Sequence, residues 1–292
     1  MAVALVQITD PDDPRLWGMH ALMDRTFAPH ERDGIAVTRA ELRDFPERLL
    51  VFIAVDDADD GVAGYATGAL LPLLEQGGHA VQGAAFLCGC HLDRDPRYRG
   101  HTIGERLVAA RLQAAQAQAQ ARGLRLVGFL AECSDKERFF NAVLARRMYV
   151  QPKPGHYAEL PYYQPPTAWD RHGNGIVVTS TGERPFAAHC SPQHLMFAPP
   201  PGQSVPTTIA TDLVLGMVRA MFWYNCLENH GMTEGTPRAL RRLGQTIDAY
   251  EADLATVLAT APDGRLHLLS QSQRQLLQAN GATVLGHRKE TA

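Results

Sequence analysis

The chain has little that would tie it to nucleic acid, a membrane or an oxidising compartment. Its formal net charge is -3 over 292 residues, whereas nucleic-acid binders carry a clear basic excess, so no nucleic-acid partner is expected. No run of eighteen apolar residues occurs, and a membrane helix needs about that many; no membrane association is expected. The opening residues lack a basic segment, and the apolar Val3, Leu5 and Val6 are soon followed by Asp10, Asp12 and Asp13, so they read as a first strand and not as a secretory leader. Five cysteines make an odd count with no paired framework. Cys88, Cys90 and Cys133 fall in apolar strand-like runs, where thiols pack as small hydrophobes, and a reducing cytoplasm is the expected setting. Cys88 and Cys90 share one strand face, but no second close Cys or His pair accompanies them, so no metal site is expected.

What is present is an ordinary globular composition, 45% hydrophobic and 20% charged, long enough for one large domain or two modest ones. Two proline-rich seams, at 161–166 and 198–202, read as connections because proline continues neither a helix nor a central strand. Before the first seam, hydrophobic periodicity predicts strands at about 3–8, 49–55, 62–71, 84–92 and 124–131, and helices at about 14–27, 38–48, 102–122 and 136–147. Short strands at 148–151 and 157–163 close this part. The order is that of a mixed α/β sheet flanked by helices (an α+β fold), with residues 1–166 as one domain. After residue 205 the pattern turns helical, over 207–228 and 236–259, and residues 167–292 are expected to form a mainly helical extension. Trp223 and Tyr224 lie in an apolar helix and are expected to pack in a core or a subunit interface.

The stretch from Cys90 to Leu107 carries the chemistry. An apolar strand runs into a basic turn with Arg94, Arg97 and Arg99, then into a helix opening on Gly100, His101, Thr102, Ile103 and Gly104. The first N–H groups of a helix have no intrahelical acceptor, and the helix dipole adds positive potential there. Glycines allow close approach and arginines add bidentate donors, so the turn suits a phosphate.

This segment resembles the acyl-CoA-binding motif of the GNAT superfamily of N-acetyltransferases, through Pro96, Tyr98, Arg99, Gly100, Ile103, Gly104 and Leu107. Thr102 stands where the family pattern has glycine. The resemblance implies a GNAT-like central sheet in which the fourth and fifth strands splay apart. It also implies acetyl-CoA as co-substrate, pantetheine contacts at Leu92, Asp93 and Arg94, and pyrophosphate contacts from Arg97 or Arg99 through His101, Thr102, Ile103 and Gly104. A second likeness, over 137–150, puts Phe139 or Phe140 where the family often has a tyrosine acid, and Met148 and Tyr149 at its glycine–phenylalanine pair. The two likenesses and the element order cover about residues 3–165.

Acyl transfer to an amine needs a base, a carbonyl-polarising donor and a proton route. The resemblance implies a backbone donor near Leu92. His91 is the first base candidate because its pKa naturally lies near neutrality; Glu132, at the end of an apolar strand, is the second, and Glu31 in the loop after the first helix the third. Tyr149, Cys133 or water can protonate the departing thiolate. The expected function is therefore an acyl-CoA-dependent N-acyltransferase acting by direct attack on a small-molecule or protein amine, with residues 167–292 covering the acceptor cleft or forming a homodimer. Two alternatives stay open: a GNAT-like module that binds CoA or a partner without turnover, favoured by Thr102 and the absent tyrosine, and an acyltransferase fed by an acyl carrier protein.

Overall fold

In the computed structural model of the chain, residues 3–27, 32–75, 78–133, 144–162, 168–169, 174–179, 182–185, 194–224 and 237–286 are described. β1 (Val3–Ile8) leads into α1 (Arg15–Thr26) and α2 (Ile35–Asp44). α1 buries Leu16, Met19, Leu22 and Met23, the single stripe that a helix lying on a sheet requires. β2 (Leu49–Asp56) is buried at every position, as expected of a strand covered on both faces. β3 (Val62–Leu74) and β4 (Ala80–Arg94) continue an antiparallel meander from it. α3 (Ile103–Ala121) then crosses back, ends at Gly123 with φ 68°, and feeds β5 (Arg125–Cys133), which lies parallel to β4.

The chain goes on through β6 (Arg146–Lys153), β7 (His156–Glu159), β8 (Ala168–Trp169), β9 (Gly175–Thr179), β10 (Gly182–Pro185), β11 (His194–Ala198) and β12 (Thr208–Ala210). α4 (Thr211–Trp223), α5 (Pro237–Leu258), β13 (Arg265–Leu269), α6 (Gln271–Ala279) and β14 (Thr283–Leu285) follow. Among the described residues one sheet runs β1-β2-β3-β4-β5-β11-β6-β13-β12, with β7 on β6 and β14 on β7, while β8, β9 and β10 make a small sheet of their own.

Two layers of helix cover the large sheet. On one face, Ile103, Leu107, Val108, Leu112 and Ala115 of α3 pack on Leu50, Phe52, Leu87 and Phe129. On the other, α1 packs on Val51, Ile53 and Tyr65, and α4 on Leu71, Leu73, Phe86 and Leu130. Tyr65, Leu71 and Leu73 are odd-numbered positions of one strand, so α1 and α4 share a face. The hydroxyl of Tyr224, just past α4, donates to Glu41 of α2 at 3.0 Å and ties the two together. Among the described residues no helix is long and apolar enough to cross a membrane.

The mixed sheet flanked by helices agrees with the sequence reading, and two details differ. Arg146 and Arg147, expected at the end of a helix, begin β6, because Met148 and Val150 pack into one face of the sheet while Tyr149 points into the other; residues 136–143 lie outside the described residues. The chain beyond 166 does not stay outside the sheet. Helices supply more of its described length than strands do, but β11, buried at all five positions, sits between β5 and β6. Its five apolar-leaning residues are too short for a periodicity to show, and the prolines that follow mark only where it ends.

Candidate active site

The basic turn is shaped by three anchors. The carboxylate of Asp95 accepts from the Arg97 backbone N–H at 2.9 Å and caps a 3-10 turn at Pro96–Tyr98. The Tyr98 hydroxyl donates to Asp56 at 2.6 Å inside the protein, which holds the carboxyl below its usual range and pushes the phenol up to about 12. The Arg97 guanidinium turns back on Asp95 at 3.1 Å, so it is already paired, whereas Arg99 is exposed beside Gly100. The chain then passes through two left-handed residues, Gly100 at φ 89° and Thr102 at φ 51°, to enter α3. A Cβ on Gly100 would meet nothing within 4 Å, so its left-handed backbone and not crowding favours glycine there. Thr102 makes no capping bond with its side chain. Among the described residues, the N–H groups of Gly100, Thr102, Ile103, Gly104 and Glu105 have no backbone acceptor. His101 and Thr102 are exposed, but Ile103 and Gly104 are buried, so only their main chain can serve a ligand.

Upstream of this turn, β4 and β5 part. Their parallel register runs from Ala84–Arg125 to Gly89–Ala131 and goes no further. Beyond it β4 stays on β3 as far as Arg94, and β5 stays on β11 as far as Cys133. Among the described residues, 90–94 of one strand and 132–133 of the other therefore do not continue the β4–β5 register, and the two strands diverge in the middle of a sheet. Buried main-chain groups require partners, and an edge of this kind takes an extended amide-bearing chain.

A bulge drives the parting. Gly68 faces Gly89 and Ala66 faces Leu92, so Thr67 opposes both Cys90 and His91. The His91 N–H donates to the Thr67 hydroxyl at 3.0 Å, and the Thr67 carbonyl accepts from Arg111 of α3. Arg111 is 1% exposed, and burial lowers its pKa to about 10. Gly68 leaves room for it, since a Cβ there would lie 3.0 Å from the Arg111 Cδ. With the His91 N–H turned toward β3, the alternation of an extended chain turns the Leu92 N–H toward the gap. Asp93 is buried and its carboxylate accepts from Thr26 of α1; Arg94 is half-buried.

Both base candidates flank the gap on the α1–α4 face. His91 lies edge-on to Phe27, with ring centroids 5.2 Å apart, and its Nδ1 is 3.9 Å from the Asp33 carboxylate. Glu132 accepts from the Tyr162 hydroxyl, and that ring stacks on Phe222 of α4. A small cavity beside His91 is lined by Asp33, Glu41, Thr67, Cys90 and Tyr224. The Cys90 thiol is kept protonated by its hydrogen bond with Cys88 and by burial, and burial also raises the Tyr224 phenol. Asp33 and Glu41 were not singled out in the sequence, and Tyr224 was expected there only as a packing residue. Glu41 carries the one available signal, a carboxylate on the buried side of an amphipathic helix. Tyr149 is not brought to the gap: it is 1% exposed on β6, two strands from β5, or roughly 10 Å. Glu31, the third base candidate, lies outside the described residues.

No family model matches the chain, and no curated protein matches it. Among solved structures it is similar to a chain of the NatC complex bound to Gag peptide and CoA, at 14% identity and TM-score 0.43, covering 68% of this chain and 99% of that one. A glucosamine-6-phosphate N-acetyltransferase from Arabidopsis thaliana is similar at 13% identity and TM-score 0.36, over 48% of this chain and 88% of that one. A GNAT-family N-acetyltransferase from Escherichia coli in complex with CoA is similar at 19% identity and TM-score 0.33, over 47% of this chain and 67% of that one.

Proposed function

We propose that the chain is an acyl-CoA-dependent N-acyltransferase that transfers an acetyl group from acetyl-CoA to an amine by direct attack. The observation that carries this reading is the parting of β4 and β5 after Gly89 and Ala131 beside a helix start with free N–H groups. The pantetheine amides pair with the edge at Leu92–Arg94, and the pyrophosphate lies on the main chain from Gly100 to Gly104 with Arg99 beside it. The Leu92 N–H polarises the thioester carbonyl, a role for which a fixed donor in a water-poor gap is well suited. His91 or Glu132 takes the proton from the attacking amine. Asp33 beside His91 adds negative charge that favours an acceptor arriving as a cation, while Glu41 is paired with Arg48 at 3.6 Å.

Calorimetry with CoA, followed by thiol release from acetyl-CoA across a panel of amines, tests both steps. Micromolar CoA binding with amine-dependent thiol release is expected. A second reading, a module that binds CoA without turnover, is favoured by Thr102, whose β-branched side chain is held in a left-handed conformation where the phosphate must approach. CoA binding with no thiol release for any amine would select it.

A further inference from the structure

Direct attack leaves one proton without an assigned donor. The CoA sulfur departs as a thiolate, and Phe139 and Phe140, at the family's tyrosine position, have no hydroxyl. A cluster at the far side of the gap can supply that proton. Cys133, the last residue of β5, follows Glu132 and so projects to the opposite, α3 face, where it packs near Ala131 and Met196. Its direct cross-strand partner on β11 is His194. Residues opposed in this way share a face with Cβ atoms about 4.5–5.5 Å apart, which brings a thiol and an imidazole within reach of each other.

Behind His194 stands a buried carboxylate. The Nδ1 of His194 is 2.6 Å from Oε1 of Glu159, whose side chain is 2% exposed. Nη1 of Arg147 lies 3.2 Å from the same ring nitrogen and 3.5 Å from Glu159. A guanidinium only donates, so Nδ1 can serve one neighbour or the other, and the shorter, charge-assisted contact to the carboxylate decides. Nδ1 therefore carries the proton, an assignment made from the bonding pattern, and Nε2 keeps the lone pair that can exchange a proton with a thiol.

We propose that Cys133, held in proton exchange with the His194–Glu159 pair, is the group that protonates the CoA sulfur as it leaves. This rests on the acyltransfer reading above. The amine nitrogen forms its bond to the thioester carbon, and the carbonyl electrons move to oxygen and return as the carbon–sulfur bond breaks. The leaving electron pair on the CoA sulfur takes the Cys133 Sγ proton; Nε2 of His194 then takes up a proton from solvent, balancing the one that the base on the other face releases, and passes it to the Sγ thiolate. The faces suit the chemistry: the amine approaches from the His91 and Glu132 side, and the thiolate is met from the Cys133 side. Cys133 is a proton donor in this scheme, and His194 and Glu159 are positioning residues.

CoA disulfide tests the geometry without any acceptor. Thiol–disulfide exchange transfers one CoA to a thiol adjacent to the bound CoA sulfur and releases free CoA. The expected result is a single adduct mapped to Cys133 by peptide mass spectrometry, suppressed by excess CoA, with Cys88 and Cys90 unlabelled. His194→Gln and Glu159→Gln should slow labelling at least tenfold at pH 7 and displace its pH profile upward, while calorimetric CoA affinity is kept. A role in packing alone would leave the pH profile unmoved. If CoA binds but Cys133 of the wild-type chain is not labelled, or if the His194 variant labels at the wild-type rate and pH, the proposal is overturned. If calorimetry shows no CoA binding at all, the acyltransfer reading falls and takes this proposal with it.

Discussion

Thr102 is the residue at which binding and folding can be separated most cleanly. It enters α3 with φ 51° and ψ 21°, and its side chain caps nothing. A left-handed conformation costs an L-residue roughly 1–2 kcal/mol, and a β-branched one has least freedom to reduce it. Thr102→Gly removes that cost but gives the unfolded chain about 0.5–1 kcal/mol more conformational entropy. The net expectation is a gain of about 0.5–1 kcal/mol, or roughly 1–4 °C in melting temperature for a chain of this size, together with tighter CoA binding because no Cβ stands beside the free N–H groups. Thr102→Asp makes the opposite case for the ligand. Asp tolerates the left-handed region, and a carboxylate at a helix start accepts the orphan N–H groups, so stability should hold or rise. The same carboxylate occupies the donors that a pyrophosphate needs and repels it. Two like charges 4 Å apart cost about 4 kcal/mol at an effective dielectric of 20, and one third of that is about tenfold in affinity. Differential scanning calorimetry and titration calorimetry on both variants decide the matter. A Thr102→Asp protein that melts like wild type and binds CoA equally well would refute the placement of the diphosphate on this helix start.

Further outcomes follow from named contacts. Tyr98→Phe removes the 2.6 Å bond to Asp56 and should cost about 1–2 kcal/mol in urea unfolding. Because that bond lowers the Asp56 carboxyl in the folded state, the stability linked to its ionisation is present above its ordinary pKa of about 3.9 and lost as pH falls below it; the variant should show a flatter acid limb between about pH 4 and 2. Gly128→Ala would put a Cβ 2.3 Å from the Phe197 ring, so it should destabilise by about 1–3 kcal/mol, and an unchanged denaturation midpoint would place β11 elsewhere. His91→Gln and Glu132→Gln should each lower kcat for amine acetylation more than CoA affinity; if neither changes the rate, the base lies elsewhere.

Much of the first half was legible in the residues because its elements are long and strongly periodic. β2 is apolar throughout, α1 and α3 carry their buried stripes at helical spacing, and Gly123 ends α3 at a left-handed turn. The candidate site was legible only where its proposed residues are consecutive. The turn from Asp95 to Gly104 is local, so its caps, its left-handed residues and its free N–H groups follow from one stretch of chain. Gly104 shows the limit of that reading, since its placement in the buried side of α3 depends on where the helix lies on the sheet and not on the turn.

The amino-acid order alone determined that a strand, a basic turn and a glycine-bearing helix start follow one another, the local arrangement on which the proposed anion site rests. Tertiary structure decided what surrounds it. The bulge opposite Thr67 parts β4 from β5, Tyr224 meets Glu41 across 183 residues, and β11 sets His194 beside Cys133. Those pairings bring together groups far apart in the chain, and they are selected by which faces can be buried together, a property that no local spacing encodes.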